Sequence, residues 1–270
     1  MKNNRAFRAI FTLPPLRTSS ATALTVPKMP EPKVVTGDSE VDAMLWLQQL
    51  VNIGDAVLIE HALRAARKLK SSPEDLRRRY QDILHSQSQG SAIVVALQTM
   101  NFGNLEAQAK NATERLKKEH EALSRFGSVD ALFDNTAAEA ACIDALSGLA
   151  TNDGSILGYD EKKADARFSR KPALVPATIA DCLHGMKFWK TLYWLRAPFG
   201  YGDPASEGSA HDDFLFRQLA FVTPRSKAEA LAALDCVENQ DFDRTEAPAI
   251  LRNLVGSGWC VRTELEAVVD

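Results

Sequence analysis

A chain of 270 residues can form one large domain or two smaller ones, and 45% hydrophobic with 25% charged residues is the composition of an ordinary globular protein. A net charge of −3 argues against a strongly polyanionic partner for the molecule as a whole, although residues 1–37 set six basic residues against the single acid Glu31. No apolar run approaches the ~18 residues of a membrane span, so no membrane association is expected.

Pro14, Pro15, Pro27, Pro30 and Pro32 exclude a long helix from residues 1–37 and suggest a basic, extended arm. The apolar piece AIFTL is too short for a secretory signal. The segment resembles an organellar transit peptide in being Arg- and Ser-containing and acid-poor, but the arm is the preferred reading.

At Asp38-Ser39 the pattern becomes helical, with Val41, Met44, Leu45 and Leu47 following a Ser cap. A turn at Asn52-Ile53-Gly54-Asp55 leads to a second helix, with Val57, Leu58, Leu63, Ala66 and Leu69 on its apolar face. Ser72-Pro73-Glu74-Asp75 opens a third, because Ser caps, Pro suits the first turn and acids complement the helix dipole. SAIVVALQTM, between helical neighbours, is expected to be a buried helix. Asn104 to Phe126 is the longest charged helical pattern, with Glu114/Lys118 and Lys117/Glu121 at i,i+4 spacing.

Further helix follows up to Asn152-Asp153-Gly154, and 152–172 is expected to separate two helical parts. Helix resumes at Pro176 to Arg196, APFGYGDPASEGSA reads as a loop, and helical patterns return at Asp212 to Phe221, Ser226 to Val237, Ala247 to Val255 and Thr263 to Val268. The expected fold is all-α: a multi-helix bundle in two helical parts, 38–150 and 172–270, with an extended, proline-containing N-terminal arm over 1–37.

The segment LRAARKLKSSPEDLRRRYQDIL (63–84) has the makings of a helix-turn-helix. Ala65 and Ala66 are small enough for a helix crossing, and Leu76 is an inward contact of the second helix. The turn Lys70-Ser71-Ser72-Pro73 resembles that of bacterial helix-turn-helix regulators. It departs from their pattern in placing Lys70 and Ser71 where a Gly and an apolar residue usually stand. The resemblance implies nucleic-acid contacts from Arg64, Arg67, Lys68, Lys70, Arg77, Arg78 and Arg79, with double-stranded DNA as the partner. The bland alternative is a helical hairpin with a basic outer face.

Phe188, Trp189, Tyr193 and Trp194, with Phe199 and Tyr201, place six of the 20 aromatics within 14 residues. Trp189, Tyr193 and Trp194 are candidates for partner binding, against the simpler reading of a helix buried on most sides, and the neighbouring loop 198–209 is either a lid or a plain connection. His211-Asp212 resembles the His-Asp pair of helical metal-dependent phosphohydrolases, with His184, Asp235 and Asp241 as possible completions. Cys142, Cys182, Cys236 and Cys260 are too dispersed for a zinc site and read as reduced core thiols.

No phosphate loop, G-x-S-x-G or H-E-x-x-H motif is present, so no catalytic set, cofactor or metal is expected. These features suggest a cytoplasmic, non-enzymatic helical binding protein of a bacterial or mobile-element type, with DNA contact through 63–84 as its most specific expected task. The alternatives are a protein–protein adaptor or self-associating subunit and, third, a helical phosphohydrolase around His211.

Overall fold

Side-chain caps set most helix starts in the computed structural model, which describes residues 2–17, 29–87, 92–151, 158–239 and 245–256. In chain order the helices are α1 (Arg5–Ile10), α2 (Ser39–Ile53), α3 (Ala56–Ala66), α4 (Pro73–Gln87), α5 (Ala92–Thr99), α6 (Leu105–Phe126) and α7 (Val129–Phe133). There follow α8 (Ala137–Leu146), α9 (Glu161–Phe168), α10 (Ile179–Arg196), α11 (Ser206–Gln218), α12 (Lys227–Asn239) and α13 (Ala247–Gly256). Among the described residues there is no strand, only an isolated antiparallel bridge between Thr151 and Tyr159, so the all-α expectation holds.

The chain divides into two compact units, Arg17–Ser124 on the one hand and Met1–Leu16 with Arg125–Asp270 on the other. The division thus falls near the end of α6, whereas the charged stretch 152–172 had suggested a boundary further along. That stretch contains α9, whose Ala164 and Phe168 are buried in the larger unit's core. A charged outer face had concealed the inward residues.

In the 17–124 unit, Asp38 rather than Ser39 caps α2, its carboxylate accepting from the Glu40 and Val41 amides. Gly54 ends α2 with φ +82°, and a Cβ there would lie 2.5 Å from the Leu116 side chain, so only glycine lets α6 pass this close. The core is built from Val41, Met44, Leu47, Leu50, Ala62, Leu76, Phe102 and Leu105 with their neighbours. α5 is helical as expected but not buried: Val95 and Thr99 face inward while Ile93, Val94, Leu97 and Met100 are exposed. On α6, Lys117 pairs with Glu114 at i,i+3, with the ammonium 3.0 Å from the carboxylate.

In the larger unit the extended-arm expectation gives way at residues 5–10 to a short helix. Asn4 caps it by accepting from the Phe7 amide, and Phe7 and Phe11 are buried in the core with α8, α10 and α11. Asp181, at the start of α10, accepts from the Asn4 amide at 2.8 Å and the Arg8 guanidinium at 2.6 Å. Asn4 also donates its side-chain amide to the Pro172 and Val175 carbonyls. A six-residue helix has little stability of its own, so these tertiary contacts hold it.

The aromatic helix α10 is buried on most sides, through Phe188, Trp189, Leu192 and Leu195. α11 begins at Ser206, inside the stretch that local criteria assigned to a loop, so His211, Asp212 and Asp213 lie within the helix rather than at its expected start near Asp212. Cys142 and Cys182 are buried free thiols whose pKa is pushed well up by burial, and Cys236 is half-buried. Cys260 and the helical pattern at 263–268 lie outside the described residues.

Candidate binding surfaces

The corner between α3 and α4 forms as the sequence suggests. Ser72 Oγ accepts from the Asp75 amide at 3.1 Å and Pro73 is the first helical residue. The two helices both pack on α2, and α4 also packs on α5.

Lys70 and Ser71, the two departures from the regulator turn, have a local explanation. Glu40 reaches from α2 to accept from the Lys70 amide at 2.7 Å and the Ser71 hydroxyl at 2.5 Å. Arg79 closes the arrangement by bonding Asp38, Glu40 and Ser71 Oγ. The Ser71 hydroxyl first, then the Lys70 amide and Arg79, hold the Glu40 carboxyl down at about 2. The Arg79 hydrogen bond holds Asp38 low against the opposing effect of its partial burial. The corner is therefore a polar clamp to α2.

The candidate nucleic-acid residues separate into three groups. Arg79 is turned onto α2 and serves the clamp. Arg64, Arg77 and Arg78 are paired on their own helices with Glu60 at 3.5 Å, Glu74 at 3.8 Å and Asp75 at 2.8 Å. Arg67, Lys68 and Lys70 are exposed and make no ion pair among the described residues. A cleft of about 430 Å³ at the start of α4 is lined by Glu74 and Asp75 as well as Arg77 and Arg78. The three consecutive arginines thus do not form a single unopposed basic face.

A larger groove, about 760 Å³, lies on the other side of the corner. Its apolar lining includes Met44, Leu63, Leu69, Phe102 and Leu105, and Arg67, Arg77, Glu74 and Glu106 also border it. Gly103 makes this arrangement possible: at φ +86°, a Cβ there would stand 3.0 Å from Pro73 Cβ, so the chain entering α6 sits against the start of α4. Met100 lines the groove and is 64% exposed, and it continues along α5 as the exposed Leu97, Ile93 and Val94. Sequence reasoning missed this apolar strip, because the six-residue apolar run Ala92–Leu97 looks alike whether or not the fold covers it.

In the larger unit, Trp189 is almost fully buried, Tyr193 half-buried and Trp194 exposed, all bordering a cleft between α10 and α11. Trp189 Nε1 donates to His211 Nδ1 at 3.4 Å, and His211 Nε2 lies 2.9 Å from the Leu174 carbonyl. Accepting at Nδ1 places the proton of the neutral ring on Nε2, which donates to Leu174. Both nitrogens are thereby used, and burial lowers the His211 pKa to about 4. His211 has no lone pair to offer a metal, and no group of three or more His, Cys, Asp or Glu among the described residues could hold one. The phosphohydrolase reading of His211-Asp212 loses its first ligand.

No helix among the described residues is long and apolar enough to cross a membrane. No protein-family model matches the chain, and no curated protein or solved structure matches it significantly.

Proposed function

We propose that this is a helical binding protein whose 17–124 unit receives an acidic, amphipathic segment of a partner protein in the groove beside the α3–α4 corner. The observation that carries this reading is the apolar strip from the groove lining through Met100 to Leu97 and Ile93, with Arg67, a cation without an acidic ion-pair partner among the described residues, at the groove and the exposed Lys68 and Lys70 following it in the chain. Exposed apolar surface of this kind marks interaction sites, and helix-in-groove recognition reads apolar anchors at i, i+3, i+4 and i+7. A partner whose polar face is acidic complements the uncompensated cations. Duplex DNA is less well supported, because Glu74 and Asp75 accompany Arg77 and Arg78 where phosphates would approach.

Fluorescence anisotropy with the full chain tests this reading. The probes are a labelled helical peptide with Leu anchors and Glu elsewhere, its Lys-for-Glu counterpart, and a DNA duplex. The acidic peptide should bind saturably and weaken roughly tenfold in Leu97→Lys and in Arg67→Glu. Equal binding of the basic peptide, or tight and steeply salt-dependent binding of the duplex alone, would overturn it.

A further inference from the structure

The cleft between α10 and α11 is a separate matter from the groove of the other unit. On α10, Met186, Trp189, Lys190, Tyr193 and Trp194 fall at i, i+3, i+4, i+7 and i+8, which puts them on one helical face. Asp212 and Asp213 contribute to the opposite wall from α11, around a space of about 420 Å³. The aromatic side is firmly built. Trp189 is held by its bond to His211, and its six-membered ring lies against Gly208, where a Cβ would stand 3.1 Å from Cζ3. Tyr193 and Trp194 meet edge-to-face with centroids 5.1 Å apart. Trp194 is 44% exposed, so the cleft has an accessible aromatic side.

Aromatic faces carry partial negative charge, and carboxylates carry a full one. Three aromatic residues and two acids thus line the cleft against one cation, Lys190, which is exposed. Hard metal ions need a cage of oxygen ligands, which this lining does not form. A weakly hydrated organic cation gains from both walls at once, the rings by cation–π attraction and the acids by charge. We propose that the α10–α11 cleft binds an alkylammonium or guanidinium group through Tyr193, Trp194, Asp212 and Asp213, with the buried Trp189 as the support beneath them. The group can belong to a free small molecule or to a lysine or arginine side chain of a polypeptide.

The test uses the full chain and follows the indole N–H resonances by NMR during titration. The probes are choline, its neutral dimethylbutanol isostere with carbon in place of nitrogen, and short peptides carrying trimethyllysine or arginine. A cationic probe should shift the Trp194 signal saturably, and the neutral isostere should bind roughly tenfold more weakly. Trp194→Ala and Asp213→Asn should each weaken a cationic probe by a similar factor while the thermal unfolding midpoint is kept. Tighter binding of choline than of the peptides identifies a small-molecule site, and the reverse identifies a side-chain receptor. Equal binding of the neutral isostere, unchanged affinity in both folded variants, or no saturable shift with any cation would overturn the proposal.

Discussion

Phe11 lies flat on His211, with ring centroids 5.0 Å apart and planes within 12°. Phe168 meets the same imidazole edge-on at 4.9 Å. Residues from α9, α11 and the end of α1 therefore converge on one neutral histidine. The imidazole supplies hydrogen bonds to Trp189 and Leu174 without bringing a charge into the core.

This neutrality makes the larger unit acid-sensitive before its carboxylates titrate. Burial lowers the His211 pKa from 6.5 to about 4, so between those values the unfolded chain binds a proton that the folded chain does not. Stability is then fully present above pH 6.5 and falls as pH drops toward 4, by about 2 kcal/mol on reaching about pH 5. Urea unfolding followed by tryptophan fluorescence at pH 7 and about pH 5 measures it. His211→Phe should be less stable at neutral pH but lose this part of the slope.

The N-terminal segment should prove integral to the 125–256 region. Phe7→Ala removes a fully buried ring that stands 4.4 Å from Phe11, and such truncations cost about 3–5 kcal/mol. Deleting residues 2–13 should destabilise more, since Asp181 then loses the Asn4 amide and the Arg8 guanidinium together. Limited proteolysis should show new cleavage beyond residue 125 in both variants. A deletion with unchanged protection and melting would contradict the docking.

Features set by neighbouring residues were legible in the sequence, and those set by distant ones were not. The Ser72-Pro73 corner rests on a cap and a proline, both local, and so does the buried aromatic face of α10. α1 was hidden because its holding partner, Asp181, stands 173 residues from Arg8. Arg79 looked like a DNA contact because its partners, Asp38 and Glu40, lie 41 and 39 residues back. The α10–α11 cleft depends on α11 starting at Ser206, which Gly208 makes possible by letting Trp189 and Pro204 approach; by local propensity that glycine suggested a loop.

The division of labour among the arginines gives a direct comparison. Arg79→Ala leaves Asp38 and Glu40, both at the start of α2, without their shared counter-charge and removes one of the two bonds at Ser71 Oγ. It should lower the melting temperature of the 17–124 unit, whose own tryptophan is Trp46. Arg78→Ala, which removes an exposed pair with Asp75, should leave the melting temperature within error. Equal effects would mean that Arg79 is a surface residue like its neighbour.

Arg196 offers the sharpest stability test. The residue is 5% exposed, and its guanidinium bonds Glu139 at 2.5 and 3.1 Å, donates to the Leu132 carbonyl at 3.0 Å and lies over the Phe133 ring. It thus fastens α7 and α8 to the end of α10. Burial pushes the Glu139 pKa up, but hydrogen bonds from Arg196 and Thr136 outweigh it and leave the carboxyl lowered and charged. Arg196→Met should cost about 3–5 kcal/mol because it strands that carboxylate, and Glu139→Leu should cost a similar amount by stranding the guanidinium. The double variant removes both charges together, so it should be markedly more stable than the sum of the single losses implies. Chemical denaturation of the four proteins closes the cycle, and strict additivity would show that the pair is not coupled.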